Sequence, residues 1–154
     1  MESLNVYIPV DRRVAISKGI TLPDRTNGAV LFADISGFTT IAELLSQKLG
    51  PQRGAEEITQ HLNNIYGALI AQVHAYRGSV IGFSGDAITC WFDRDDGRRG
   101  LTCALAMQQA MKQFQFIKSR ADTDISFNIK AGITAGPARR FLVTEKAGRR
   151  IGVR

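Results

Sequence analysis

Apolar positions in this chain recur with two different spacings, and the switches between them divide it into elements. Ala29-Val30-Leu31-Phe32-Ala33 is a continuous apolar run that predicts a buried strand over residues 28–34. Ser36-Gly37-Phe38-Thr39 then opens a short helix that runs to about residue 49 and stops at Gly50-Pro51. Further on, Ile58, Leu62, Ile65, Leu69, Val73 and Tyr76 recur in steps of three and four, which predicts an amphipathic helix over about 53–76. Residues 79–83 and 87–92 read as the two strands of a hairpin around Ser84-Gly85-Asp86. Trp91 falls on the face opposite Cys90 and is expected to pack in the core. Asp95-Asp96-Gly97 marks a turn and a helix start. Leu101, Ala104, Leu105, Met107, Met111, Phe114 and Ile117 follow at helical spacing, to about Ser119.

The clearest strand signal comes next. Ile125, Phe127, Ile129, Ala131 and Ile133 alternate with Ser126, Asn128, Lys130, Gly132 and Thr134, so one face is expected in the core and the other is polar. Gly136-Pro137 punctuates that strand, and residues 140–144 suggest another. Residues 1–27 contain Pro9 and Pro23 and no sustained period, which predicts an N-terminal arm ahead of a domain over 28–154. The order strand, two helices, hairpin, helix, strand predicts an α+β fold. Its sheet is mainly antiparallel, with helices on one face.

Composition narrows the class. With 154 residues, 44% of them hydrophobic and 22% charged, the chain can bury a substantial core and is too apolar for disorder. No run approaches the roughly 20 apolar residues needed to span a bilayer, and Met1 to Val10 lacks the pattern of a signal peptide, so no membrane segment and a cytoplasmic location are expected. Cys90 and Cys103 have no metal or redox spacing and read as reduced core residues. His61 and His74 share one helix but stand thirteen residues apart, too far for a one-turn metal pair.

The net charge of +6 raises the question of nucleic acid, but Arg139, Arg140, Lys146, Arg149, Arg150 and Arg154 against Glu145 account for +5 of it. Basic residues clustered at one end read first as a solvated terminus. Phe141 is the one aromatic there for stacking, so nucleic acid is not the expected partner.

The candidate chemistry lies in two aspartates beside glycine-containing turns. Asp34 follows the first predicted strand, just before a helix start whose unpaired N–H groups suit an anion. Asp86 sits at the tip of the predicted hairpin. If the fold pairs these strands, the carboxylates meet; they would repel one another, and a hard divalent cation with oxygen ligands resolves the conflict. Taken singly, Asp34 also fits an acid favoured by the helix dipole, and Asp86 an ordinary turn residue.

The segments LFADISGFT, RGAEEITQHLNNIY and GSVIGFSGDAITCWF, in this order, resemble the catalytic domain of class III nucleotidyl cyclases, closest to the soluble adenylyl cyclase branch. The resemblance covers roughly residues 28–136. It implies a ferredoxin-like core, the nucleotidyl cyclase fold, working as a dimer that converts a purine nucleoside triphosphate, ATP ahead of GTP, to the cyclic 3′,5′-monophosphate and pyrophosphate. It further implies that Asp34, Asp86 and the main-chain carbonyl of Ile35 bind two Mg²⁺ or Mn²⁺ ions. Ser36, Gly37, Phe38 and Thr39 would cradle the triphosphate.

Two departures from the family pattern matter. Four residues before the second aspartate, adenylyl cyclases of this kind commonly carry a base-reading lysine and guanylyl cyclases a glutamate; this chain has Gly82, which supports neither base. A glycine in a strand can instead mark a bulge or a close backbone approach. The chain also ends at Arg154, before the family segment that carries a transition-state asparagine and arginine. The expectation is therefore a C-terminally incomplete domain that works as a homodimer or with a second cyclase-type domain supplying that pair. Two other readings stay open: a cyclase-like module that binds nucleotide or a partner without turnover, and a nucleic-acid module resting on the basic end.

Overall fold

In the computed structural model, which describes residues 8–140, the first apolar run becomes the middle of the sheet. Strand β1 (Arg25–Ser36) pairs antiparallel with β3 (Ala87–Asp93) on one side and with β6 (Asn128–Arg139) on the other. Strand β2 (Ser79–Ser84) adds outside β3, giving the order β2-β3-β1-β6. With α2 (Phe38–Leu49) and α3 (Pro51–Ala75) after β1, and α4 (Arg98–Met111) after β3, this is the ferredoxin-like α+β plan. A 3₁₀ turn (Lys112–Phe114) and a small hairpin, β4 (Ile117–Lys118) with β5 (Asp124–Ile125), lead into β6.

The two faces of β1 differ, as a period of two requires. Ala29, Leu31, Ala33 and Ile35 are buried beneath the helices with Ile88 and Phe92 of β3 and Phe127 and Ile129. Leu45, Ile65, Leu69, Val73, Met107 and Met111 meet them from the helical side. The alternate positions Val30, Phe32 and Asp34 lie on the opposite, more open face, where Phe32 is 46% exposed.

Several details depart from the sequence expectation. The segment before residue 28 holds a helix, α1 (Val10–Ser17), and the first three residues of β1. Ala15 of α1 is buried, and the Asp11 backbone N–H donates to Ser79 Oγ at 3.1 Å. Strand β6 runs straight through Gly136-Pro137. Proline is tolerated there because β6 is an edge strand among the described residues, so its missing N–H breaks no second ladder. For the same reason the alternation ends early in burial: Ile129 is buried, Ile133 half-buried and Ala131 exposed.

In α4 the buried stripe is Gly100, Cys103, Ala104, Met107 and Met111, which leaves Leu101 and Leu105 exposed on the outer side. Trp91 is buried on the face away from the main helices, with the Arg140 guanidinium 5.8 Å from its ring centroid. Arg140 is no solvated terminal residue: it donates to Asp11 Oδ2 at 3.2 Å and to Asp93 Oδ1 at 2.7 Å. The rest of the basic segment beyond it, and the strand suggested over 140–144 apart from Arg140 itself, lie outside the described residues.

Candidate functional site

Pairing of β1 with β3 places Asp34 opposite Ala87, the residue next to Asp86. The Ile35 backbone N–H donates to the Asp86 carbonyl at 3.1 Å, which ties the hairpin tip to the end of β1. Two acids fifty-two positions apart in the chain thus become neighbours at one end of the sheet, as the pairing of their strands requires. Both are half-buried. Ser84 pairs with Ala87, leaving Gly85-Asp86 as a two-residue loop. Gly85 has φ +62° and Asp86 a negative φ, the pattern of hairpin turns that need glycine at the first central position.

After Asp34 the chain turns sharply. Ile35 is buried in the core, and Gly37 takes φ +93° to redirect the backbone into α2. That helix start carries no side-chain cap. Its first N–H groups, from Phe38 and Thr39 onward, have no intrahelical acceptor. Phe38 packs partly against the core and Thr39 is exposed. The Ser36 hydroxyl is buried with no hydrogen-bond partner among the described residues. An orphaned oxygen, two carboxylates and an uncapped helix start form a hard-oxygen and anion-binding donor set, which fits magnesium bound together with a polyphosphate. No cluster of three or more His, Cys, Asp or Glu side chains occurs among the described residues, so a cation here draws its remaining ligands from backbone, water or phosphate oxygen.

Two residues that the sequence did not assign to the site stand near the acids. Lys130 of β6 lies directly opposite Asp34 across the β1–β6 ladder, on the same face, and is exposed. The sequence showed it only as one polar position of an alternating strand; its register needs the tertiary pairing. Tyr66 of α3 donates its hydroxyl to the Gly85 carbonyl at 3.0 Å. Burial, then the charges of Asp86 and Asp34, raise its phenol above the ordinary tyrosine value. Its place beside the apolar stripe of α3, next to Ile65, was the available signal.

Gly82 lies in β2 and pairs with Thr89, which pairs with Phe32, which in turn pairs with Gly132. This row crosses the open face next to the row Ser84, Ala87, Asp34 and Lys130. The register jumps from Val80 to Gly82, so Ile81 is bulged. No close approach demands the glycine, because a Cβ built at Gly82 would meet nothing within 4 Å. Gly82 borders a concavity of about 340 Å³ between β2, Ile70 and His74 of α3, and Val10 and Arg13 of α1. A second concavity, of about 410 Å³, lies at the far end of β1 around Thr26, Val30, Trp91 and Arg140.

The other candidates have structural roles. Burial, with a smaller contribution from Cys103, pushes the Cys90 thiol up to about 12, and burial pushes Cys103 to about 11, so both remain protonated core thiols. His61 lies 3.6 Å from Glu57 and tilts against Phe127, while His74 is exposed. No helix among the described residues is long and apolar enough to cross a membrane.

Comparison with known proteins agrees with this fold. Residues 22–149 match the family described as the adenylate and guanylate cyclase catalytic domain. Adenylate cyclase type 10 of Mus musculus is 28% identical over 112 residues, 71% of this chain and 7% of the relative. The same protein of Homo sapiens is 37% identical over 65 residues, 42% of this chain and 4% of the relative. The chain thus spans only a small fraction of the curated relatives it matches. Among solved structures, a bacterial light-regulated adenylyl cyclase superposes with a TM-score of 0.72 at 20% identity, covering 94% of this chain and 42% of that one. The adenylyl cyclase CyaB from P. aeruginosa superposes at 0.58 with 27% identity, covering 73% of this chain and 57% of that one. With the family match over most of its length and the same fold, the chain belongs to the adenylate and guanylate cyclase catalytic domain family.

Proposed function

We propose that this chain forms the metal-bearing half of a nucleotidyl cyclase site, one that converts a purine nucleoside triphosphate to the cyclic 3′,5′-monophosphate and pyrophosphate. The observation that carries this reading is the junction of Asp34 with Asp86 through the Ile35 N–H to Asp86 carbonyl bond. Asp34, Asp86 and the Ile35 carbonyl would hold two Mg²⁺ or Mn²⁺ ions. When bound, these ions would lower the pKa of the ribose 3′-hydroxyl and offset charge on the departing pyrophosphate.

The remaining work falls to the chain itself. The backbone N–H groups at Ser36–Thr39 would receive the phosphates at an uncapped helix start, and the orphaned Ser36 hydroxyl would donate to the same oxygens. Lys130, level with Asp34, would offset further phosphate charge. Relatives named adenylate cyclase favour ATP over GTP, although Gly82 offers no side chain to read either base. Another cyclase-type domain, or a second copy extended past Arg154, would complete the site with the asparagine and arginine that the family resemblance calls for.

The empty position at Gly82 also favours a second reading, a nucleotide-binding module that regulates a partner without turnover. One experiment separates them. Cyclic nucleotide production is measured from ATP and from GTP with Mg²⁺ or Mn²⁺, for the chain, for a version extended past Arg154 and for Asp34→Ala. Product that requires Asp34 supports the cyclase. Metal-dependent nucleotide binding without product in any version supports the regulatory module.

A further inference from the structure

Two successive carbonyls at the hairpin tip are each held by a donor from a different element. The Asp86 carbonyl accepts from the Ile35 N–H of β1 at 3.1 Å, and the Gly85 carbonyl accepts from the Tyr66 hydroxyl of α3 at 3.0 Å. The Tyr66 ring also meets Phe83 of β2 edge-on, with centroids 5.2 Å apart and planes at 81°. Its neighbours in α3, Ile65 and Leu69, are fully buried, so the phenol is mounted on a helix that cannot shift without opening the core. Apart from the Ile35 bond and the Ser84–Ala87 pair that closes it, the turn has little around it: Gly85 has a left-handed φ, and Phe83, Ser84 and Gly85 are exposed.

We propose that Tyr66 is a positioning residue for divalent-cation binding, its hydroxyl holding the Gly85-Asp86 turn so that the Asp86 carboxylate stays in register with Asp34. This rests on the metal site proposed above. The physical case is one of preorganisation. Asp34 is held on both sides by β3 and β6, whereas Asp86 lies in a two-residue loop at the end of an edge hairpin, and a cation that needs both must otherwise order that loop as it binds. Like charge on the two carboxylates would favour their separation when no cation is present, and the Tyr66 bond would oppose that movement. The phenol stays protonated at ordinary pH, because burial and both acid charges raise it further. It therefore remains a donor at neutral pH.

The test is Mn²⁺ binding to the chain in the presence of a non-hydrolysable purine nucleoside triphosphate, read from the free-ion electron paramagnetic resonance signal. Four proteins are compared: the unmodified chain, Tyr66→Phe, Phe83→Leu and Asp34→Asn. Tyr66→Phe keeps the ring and its packing and loses only the donor. It is expected to weaken Mn²⁺ binding about fivefold, the size of one net hydrogen bond, with an unchanged circular dichroism spectrum. Phe83→Leu, which loosens the hairpin but keeps the hydroxyl bond, is expected to stay within about twofold of the unmodified chain.

Asp34→Asn is expected to abolish binding. If Asp34→Asn loses Mn²⁺ while Tyr66→Phe binds it as the unmodified chain does, the positioning role is wrong and the metal site stands. If Phe83→Leu weakens binding as much as Tyr66→Phe, general loosening of the hairpin explains the effect and the hydroxyl has no special part. If Asp34→Asn binds Mn²⁺ normally, the metal site itself is wrong and the inference falls with it.

Discussion

Lys130 and Asp34 are direct partners across the β1–β6 ladder, so a lysine and the first of the two acids leave the same face of the sheet side by side. A lysine here can offset phosphate charge beside a carboxylate pair. Lys130→Ala is therefore expected to raise the KM for the metal–triphosphate complex about tenfold, the effect of one charge-assisted contact, with little loss of folding stability because the side chain is exposed. Steady-state kinetics, or nucleotide titration where turnover is absent, checks this; an unchanged affinity would remove Lys130 from the site.

Gly82 occupies open space on the same face, one row from Asp34. Gly82→Lys should fold without strain and gain on the order of 0.5–1 kcal/mol from reduced backbone freedom in a strand. If the position faces the base, the variant is expected to prefer ATP over GTP by about tenfold or more in direct competition. Equal preference would show that base choice is made elsewhere.

The Arg140 network gives a pH dependence with a definite sign. Burial alone would raise Asp93, but hydrogen bonds from Arg140 and Thr26 and the Arg140 charge hold it below the ordinary carboxylate value. A depressed native pKa means that Asp93 adds stability above its unfolded pKa and loses that contribution as pH falls through the native value. Acidification below the ordinary carboxylate range is therefore expected to loosen the contacts among α1, Arg140 and Trp91. Trp91 is the only tryptophan, so its emission reports this directly, and a red shift at acid pH that Arg140→Ala reproduces at neutral pH is the expected result.

Asp95 is buried at the start of α4 and accepts from the backbone N–H groups of Arg99 at 3.1 Å and Gly100 at 2.8 Å. Removing the carboxylate strands both donors. Asp95→Ala is expected to cost about 1–3 kcal/mol, measurable by urea unfolding, with metal binding unchanged in the folded fraction. Because Asp95 lies at the β3 end of the chain's crossover, away from the acid pair, this variant also serves as a stability control for the site variants.

How far the sequence reading carried depends on the element. The helix stripe from Ile58 to Val73 and the hairpin around Gly85-Asp86 were legible because each is a local pattern with a local cause. The α4 stripe was only half legible: Leu101 and Leu105 fit helical spacing yet point outward, since the face that packs is the one carrying the small residues Gly100 and Ala104 beneath β1 and β6. The helix at Val10–Ser17 escaped detection because it is short and buries only Ala15, too little to leave a period. It is held instead by Ser79 and Arg140, far away in the chain.

The sequence by itself determined which segments alternate or repeat, where glycine permits a turn, and that two aspartates stand at turns beside apolar runs; these follow from backbone sterics and the burial of one face. Only the tertiary structure decided that Asp34 and Asp86 are neighbours, that Lys130 is level with Asp34, and that Tyr66 reaches the hairpin tip. Strand order and register arise from long-range packing between segments that carry no local signal for one another. A one-residue slip in the β1–β6 ladder would turn Lys130 to the opposite face and leave the sequence pattern unchanged.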